Sequence, residues 1–217
     1  MRIDIWSDIV CPWCYIGLTR FGRVLSSYEH ADGVDVHLRA FQLDPHLPEA
    51  FDGTEVEYLA ESKGMSLDGV RQMFDHVQAA ASTEGLRLDF DQVKVANSRR
   101  AHRLLHAART ADQTGQPAWE IALSLFKAHF VDGLSISDPD TLVRLATEAG
   151  LDSRLASEAI HSAELDLEVS ADIQQAAAYG IAGVPFFVLE NKYGISGAQP
   201  AEVLTSALEQ VWAEVHG

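Results

Sequence analysis

The chain holds two cysteines in 217 residues, and they stand three positions apart in Cys11-Pro12-Trp13-Cys14, just after the apolar run Ile3-Asp4-Ile5-Trp6. No other feature narrows the architecture as far. A structural disulfide ties distant segments, and a structural zinc site needs four ligands. A lone C-x-x-C directly after a strand near the N-terminus marks instead a redox dithiol at a strand-to-helix junction. Free cysteines are often inert small hydrophobes of a core, but a proline at a helix start beside a strand end is a setting that activates thiols. Zinc would need its remaining ligands from elsewhere, and the chain has no second cysteine pair.

Around this junction the pattern reads strand, helix, strand. Ile3 and Ile5 alternate with Asp4, as in a half-buried strand. Pro12 suits the first helical position, where its missing N–H costs nothing. Leu18, Phe21, Leu25 and Tyr28 then fall on one helical face. Ala31-Asp32-Gly33 breaks the pattern, and residues 34–40 alternate as a second strand. Past Pro45 and Pro48 the period is helical for about 130 residues. Ser66 caps a helix with Leu67, Val70, Phe74, Val77 and Ala81 on one side. Ala101, Leu104, Leu105 and Ala108 mark the next, and Ala118, Ile121, Ala122, Leu125, Phe126, His129 and Phe130 form the clearest stripe. Asp138-Pro139 opens another helix, which stops at Gly150. A short helix follows near Ser153–Ile160, and a longer one carries Leu165, Val169, Ile173 and Ala176 to Tyr179-Gly180. Strand character returns at Val184–Leu189 and, past a turn at Glu190-Asn191-Lys192, at Tyr193–Ser196. Pro200 starts a last helix with Leu204, Ala207, Leu208, Val211 and Val215 inward. The plan is an α/β fold, β-α-β, a helical block, then α-β-β-α. Residues 1–45 and 175–217 share one sheet, and 46–174 form an inserted helical domain, because neither flank alone has strands enough for a stable sheet.

Sixteen basic against 32 acidic residues give a formal charge of −16. That opposes non-specific binding to nucleic acid or to anionic membranes, and otherwise speaks for solubility. No apolar stretch nears the ~20 residues that span a bilayer. The first residues lack a basic segment followed by an apolar one, so the chain reads as cytoplasmic.

With Pro12 first in the helix, Cys11 is the N-cap, and its sulfur is expected to face the free N–H groups of Trp13 and Cys14. A helix terminus is worth about 0.3–2 kcal/mol to an anion placed there. Cys14 lies one turn inside on the same face, within reach of a disulfide. Cys11 is therefore expected as the exposed attacking thiolate, and Cys14 as the resolving thiol that releases a mixed disulfide. His102 and His106 have a metal-compatible spacing, but no Glu lies between them, and Arg99, Arg100 and Arg103 would repel a cation. No metal is expected. The basic face of this helix is expected to be solvated, or in a second reading to bind glutathione or an acidic substrate. His129 is expected as a satisfied core histidine.

Strand, C-P-x-C, helix, strand, a helical insertion and a late Gly183-Val184-Pro185-Phe186 together resemble the DsbA family of thioredoxin-fold proteins. Finer segments are similar to its FrnE-like cytoplasmic branch: residues 7–17 around the dithiol, Phe41-Gln42-Leu43-Asp44-Pro45, Asn97-Ser98, Ala101-His102-Arg103, and Ile195-Ser196-Gly197-Ala198-Gln199-Pro200. The resemblance implies a thioredoxin fold with a large inserted α-helical domain. It implies a thiol–disulfide oxidoreductase or isomerase that uses Cys11 and Cys14 and forms a mixed disulfide at Cys11. It also implies a cis Val184–Pro185 bond facing the dithiol, with the backbone before the proline pairing with an extended substrate. Pro12, Trp13, Val184 and Pro185 are thus the expected substrate-binding residues, although Trp13 has an equal claim as an aromatic packed on the helical domain. Expected partners are protein or peptide thiols and disulfides, with glutathione or a thioredoxin-type reductant as redox partner and no tightly bound cofactor. A sister group, the kappa-class glutathione transferases and 2-hydroxychromene-2-carboxylate isomerases, has serine where Cys11 stands. This chain departs from that group by keeping both thiols, which weighs against a glutathione-linked isomerase or transferase and leaves it as one alternative function. A non-catalytic, redox-sensing peptide-binding module is another.

Overall fold

The computed structural model describes residues 1–48, 51–112 and 114–217. Its sheet has the order β2-β1-β3-β4. β1 (Arg2–Ser7) runs parallel to β2 (Asp35–Ala40) and antiparallel to β3 (Phe186–Leu189), which forms a hairpin with β4 (Tyr193–Ser196). The two ends of the chain thus share one sheet. The hairpin turns through Glu190 and Asn191, whose φ values of 52° and 53° give the left-handed pair that matches strand twist.

Nine helices surround this sheet among the described residues: α1 (Pro12–Ser26), α2 (Glu55–Lys63), α3 (Leu67–Thr83), α4 (Arg99–Ala111), α5 (Gln116–Phe130), α6 (Pro139–Glu148), α7 (Ser153–Ala159), α8 (Ala163–Ala178) and α9 (Ala201–His216). Ser66, Asp138, Asp152 and Ser162 cap α3, α6, α7 and α8, each accepting an N–H three residues on. The sequence reading contained no α2. It starts at a capping box in which Thr54 and Glu57 satisfy each other's backbone N–H groups, and no residue of it is fully buried. Without an apolar stripe it left no periodic signal.

Two expectations about β1 and its surroundings change. Every residue from Ile3 to Ser7 is buried, so β1 is a central strand covered on both faces rather than a half-buried one. Asp4 is tolerated there because Arg2 and Arg39 reach its carboxylate at 2.8 and 2.6 Å. Burial pushes Asp4 up, but the two hydrogen-bonded guanidinium groups outweigh it and hold the carboxyl below its usual range. Arg39 also bonds Asp172 of α8 at 2.9 Å. Asp172 accepts the Ala40 N–H at 2.9 Å, and its carbonyl accepts the Trp6 indole N–H at 2.9 Å. The domain boundary drawn at 174/175 therefore falls inside α8, one unbroken helix stitched to β1 and β2.

One continuous apolar cluster joins Ile3, Ile5, Leu18 and Phe21 of the sheet and α1 to Ile121, Leu125 and Phe126 of α5 and on to Leu142 and Ala156. Tyr15 stacks on Phe126 with ring centroids 5.3 Å apart, and Phe21 lies 6.2 Å from Trp119. Tyr28 lies past the end of α1, and Leu67 and Val215 are exposed rather than inward. No described helix is long and apolar enough to cross a membrane.

Candidate active site

β1 ends at Ser7, and four residues later the chain enters α1. Backbone bonds close the turn between them: the Cys11 N–H donates to the Asp8 carbonyl at 3.0 Å, and the Cys14 and Tyr15 N–H groups donate to the Cys11 carbonyl at 3.0 and 3.3 Å. Cys11 is the N-cap in extended conformation, and Pro12 is the first helical residue. Both cysteines are free thiols.

The Cys11 sulfur does not do what the sequence led one to expect. It caps no N–H of α1. It lies instead 3.6 Å from the Val184 carbonyl oxygen, toward which a thiol donates a weak hydrogen bond. Cys11 is also not exposed: it keeps 5% of its surface, and Cys14 keeps none. Cys11 belongs to the buried apolar cluster with Ile9 and Tyr15, and Val184 packs against that cluster.

The Val184–Pro185 bond is cis. Its position on α1 depends on Gly17, where an added Cβ would stand 2.8 Å from Pro185 Cγ. The Pro185 carbonyl is tied to the Gly197 N–H at 2.8 Å. Cys11, Pro12, Cys14, Val184 and Pro185 thus meet at one helix end. Trp13 is half-buried, packs with Ile16, Val77 and Ala81, and has its ring 5.8 Å from that of His76 on α3. Of its two expected roles, packing on the helical block is the one the contacts display.

Burial pushes the Cys14 thiol well above its ordinary range, and the adjoining Cys11 sulfur adds to the effect. The Asp8 N–H and the Ser7 hydroxyl act in the other direction. Cys14 therefore holds its proton at neutral pH until something changes its surroundings.

A polar layer that the sequence reading missed adjoins this turn. Asp8 is buried, and its carboxylate accepts the Leu43 N–H at 2.7 Å and the Val10 N–H at 3.5 Å. His102 of α4 is buried too, with Nε2 2.9 Å from the Phe41 carbonyl and 3.5 Å from Asp8 Oδ1. Gln42 bonds Asn97 at 3.1 Å. A polar pair right after an apolar strand was the available signal, since Ser7-Asp8 interrupts the core pattern ahead of Cys11.

The expected solvated face of α4 is corrected by the same contacts. Arg99 and Arg103 both bond Asp166, at 2.7 and 2.8 Å, and Arg100 donates to the Ser137 carbonyl at 3.0 Å. His106 Nε2 stands 3.0 Å from Asp172 Oδ2, at an angle that makes no good hydrogen bond. These guanidinium groups are bonded to partners within the chain. His129 is likewise corrected. It is fully buried in the core, but among the described residues neither ring nitrogen has a hydrogen-bond partner, and it meets Phe130 edge-on at 4.6 Å. Burial pulls it down to about 4, against a small opposing pull from Asp8. A groove of about 570 Å³ between α1, β2, α4 and α5 touches neither cysteine.

A family model described as a DSBA-like thioredoxin domain matches residues 2–209. The structure is similar to that of a probable DsbA oxidoreductase from Streptomyces coelicolor, with a TM-score of 0.89 and 39% identity over 99% of this chain and 91% of that one. It is similar also to the cytosolic disulfide reductase DsbM from Pseudomonas aeruginosa with GSH, at a TM-score of 0.69 and 21% identity over 98% and 100% of the two chains. A 2-hydroxychromene-2-carboxylate isomerase matches at a TM-score of 0.70 and 17% identity over 100% of both chains. At these identities the last two speak to the fold alone.

Proposed function

The chain belongs to the family of DSBA-like thioredoxin domains, and from that premise we propose that it is a thiol–disulfide oxidoreductase or isomerase working through Cys11 and Cys14. One observation carries the reading: two free thiols occupy the first turn of α1, and the outer one faces the Val184 carbonyl beside Pro185. Cys11, as thiolate, attacks one sulfur of a substrate disulfide. The S–S bond breaks, a Cys11–substrate disulfide forms, and the first substrate sulfur leaves and takes a proton. Cys14 then gives up its proton and attacks the Cys11 sulfur. The second substrate thiol leaves, and two electrons have passed from the cysteine pair to the substrate. The reverse sequence oxidises a dithiol substrate, and the direction follows the potentials of the partners.

The burial of Cys14 supports its role as the inner, resolving thiol, since a group held in its neutral form does not compete for the first attack. The segment at Val184 and Pro185, with Pro12 and Trp13 beside it, is the place for an extended stretch of substrate backbone. The partners are protein or peptide thiols and disulfides in the cytoplasm, with glutathione or a thioredoxin-type reductant restoring the pair. The test compares wild type with Cys11→Ser in insulin reduction and in refolding of scrambled ribonuclease. Wild type turns over in at least one assay, and Cys11→Ser in neither. A wild type inactive in both removes the reading. Glutathione-dependent isomerisation of a small aromatic substrate that survives Cys11→Ser would favour the isomerase alternative.

A further inference from the structure

The polar layer beside the dithiol has a hierarchy. Asp8 holds both cysteines through its backbone: its carbonyl accepts the Cys11 N–H at 3.0 Å, and its N–H favours the Cys14 anion. Asp8 is itself held by its side chain. Among the described residues the carboxylate accepts the Leu43 N–H at 2.7 Å and the Val10 N–H at 3.5 Å, and His102 Nε2 stands 3.5 Å from it as a charge contact. His102 Nε2 also faces the Phe41 carbonyl at 2.9 Å, and a carbonyl only accepts, so this nitrogen carries a hydrogen. Asp8 and His102 keep 1% and 2% of their surfaces. A buried carboxylate with too few donors opposes any further negative charge nearby. Burial dominates two neighbouring groups, lowering His129 and raising Tyr58, and the Asp8 charge adds a small upward pull on each.

We propose that His102 is a positioning residue of the dithiol. Acting through Asp8, it fixes the turn that carries Cys11 and offsets a buried negative charge that would otherwise oppose the thiolate. The proposal rests on the reading of Cys11 and Cys14 as a redox pair. It assigns to α4, on the helical block, a part in setting the redox equilibrium of a site built on α1.

The equilibrium concerned is the exchange of the reduced protein with glutathione disulfide. One Cys11–Cys14 disulfide forms, one glutathione disulfide is cleaved, and two glutathione thiols take up the two protons. Its constant is measured in glutathione buffers at pH 7 by alkylating the free thiols and separating the two forms. Asp8→Asn removes the charge and moves the constant toward the dithiol. His102→Leu leaves the charge without its partner and moves it toward the disulfide. Each shift is about fivefold, or ~20 mV at 29.6 mV per tenfold change. His102→Gln, which keeps a donor near the Phe41 carbonyl, stays close to wild type. A role in packing alone predicts lower melting temperatures with no opposed shifts. Two shifts of the same sign, or none, overturn the proposal. Where His102→Leu does not fold, Asp8→Asn with His102→Leu takes its place, since it buries no lone carboxylate. A constant equal to that of Asp8→Asn alone supports the proposal, and a further displacement toward the disulfide overturns it. The constant belongs to the cysteine pair whether or not the protein turns over a substrate. A wild type inactive on insulin and ribonuclease therefore removes the catalytic function alone, and the opposed or unopposed shifts of the glutathione constant still support or overturn the role of His102. Cysteines that form no disulfide in any buffer remove both.

Discussion

His129 shows what one side chain can cost. Its ring is buried in the core with no hydrogen-bond partner for either nitrogen among the described residues, and burial draws it from 6.5 down to about 4. In the unfolded chain the ring gains its proton near pH 6.5, whereas in the fold it does so only near 4. Between those values the unfolded chain binds more protons, so stability falls as the pH falls. The range is worth on the order of 3 kcal/mol below pH 4. Replacing the ring by His129→Leu should flatten the acid limb between pH 6.5 and 4, as read from urea midpoints at half-unit steps. An unchanged slope would show that other groups carry the acid sensitivity. Histidine in an apolar stripe announces burial, but not whether its nitrogens find partners, and this is why the sequence placed it in the core yet credited it with bonds it lacks. The cysteines teach the same lesson. Spacing and Pro12 placed Cys11 at the helix cap, since both are local properties of the chain. The direction of its sulfur depends on a carbonyl 173 residues away, and no local pattern contains that.

Helices with a long apolar stripe were readable from the chain to within a residue or two, because burial itself wrote the pattern. α5 and α6 are examples, the second announced also by Asp138 and Pro139. α2 was not readable, because it presents no buried face and starts by side-chain capping alone. β1 was read as a strand but misjudged in its setting: Asp4 imitates an outward-facing position, and only Arg39 from the next strand reveals that it points inward. Caps matter most where a helix carries a distant contact. α8 begins at Ser162, whose hydroxyl accepts the Leu165 N–H at 3.2 Å, and delivers Asp172 to the sheet. Removing that acceptor by Ser162→Ala should lower stability by about 1 kcal/mol without touching the dithiol. A thermal melt followed by circular dichroism, beside a glutathione equilibrium that stays at the wild-type value, checks both halves of the statement.

Sheet and helical block are bound by charge as well as by apolar contact. Asp172 satisfies Arg39 and the Ala40 N–H at once, and Arg39 shares itself with Asp4. Asp172→Ala would strand a buried amide and half of a guanidinium network. The expected loss is about 3 kcal/mol, at the low end for a broken buried pair because Arg39 keeps Asp4 and some water. Denaturant unfolding of this variant measures it, and a loss under about 1 kcal/mol would mean that the network only orients α8. The same contacts bear on how such a protein can change over time. Tyr15, next door to Cys14, leans on Phe126 and Phe130, and Phe21 leans on Trp119. The block is therefore not a cassette that can be cut out or exchanged while the sheet and α1 stay intact. A chain shorn of residues 46–174 would keep its two sulfurs but expose the aromatic flank of the very helix that presents them.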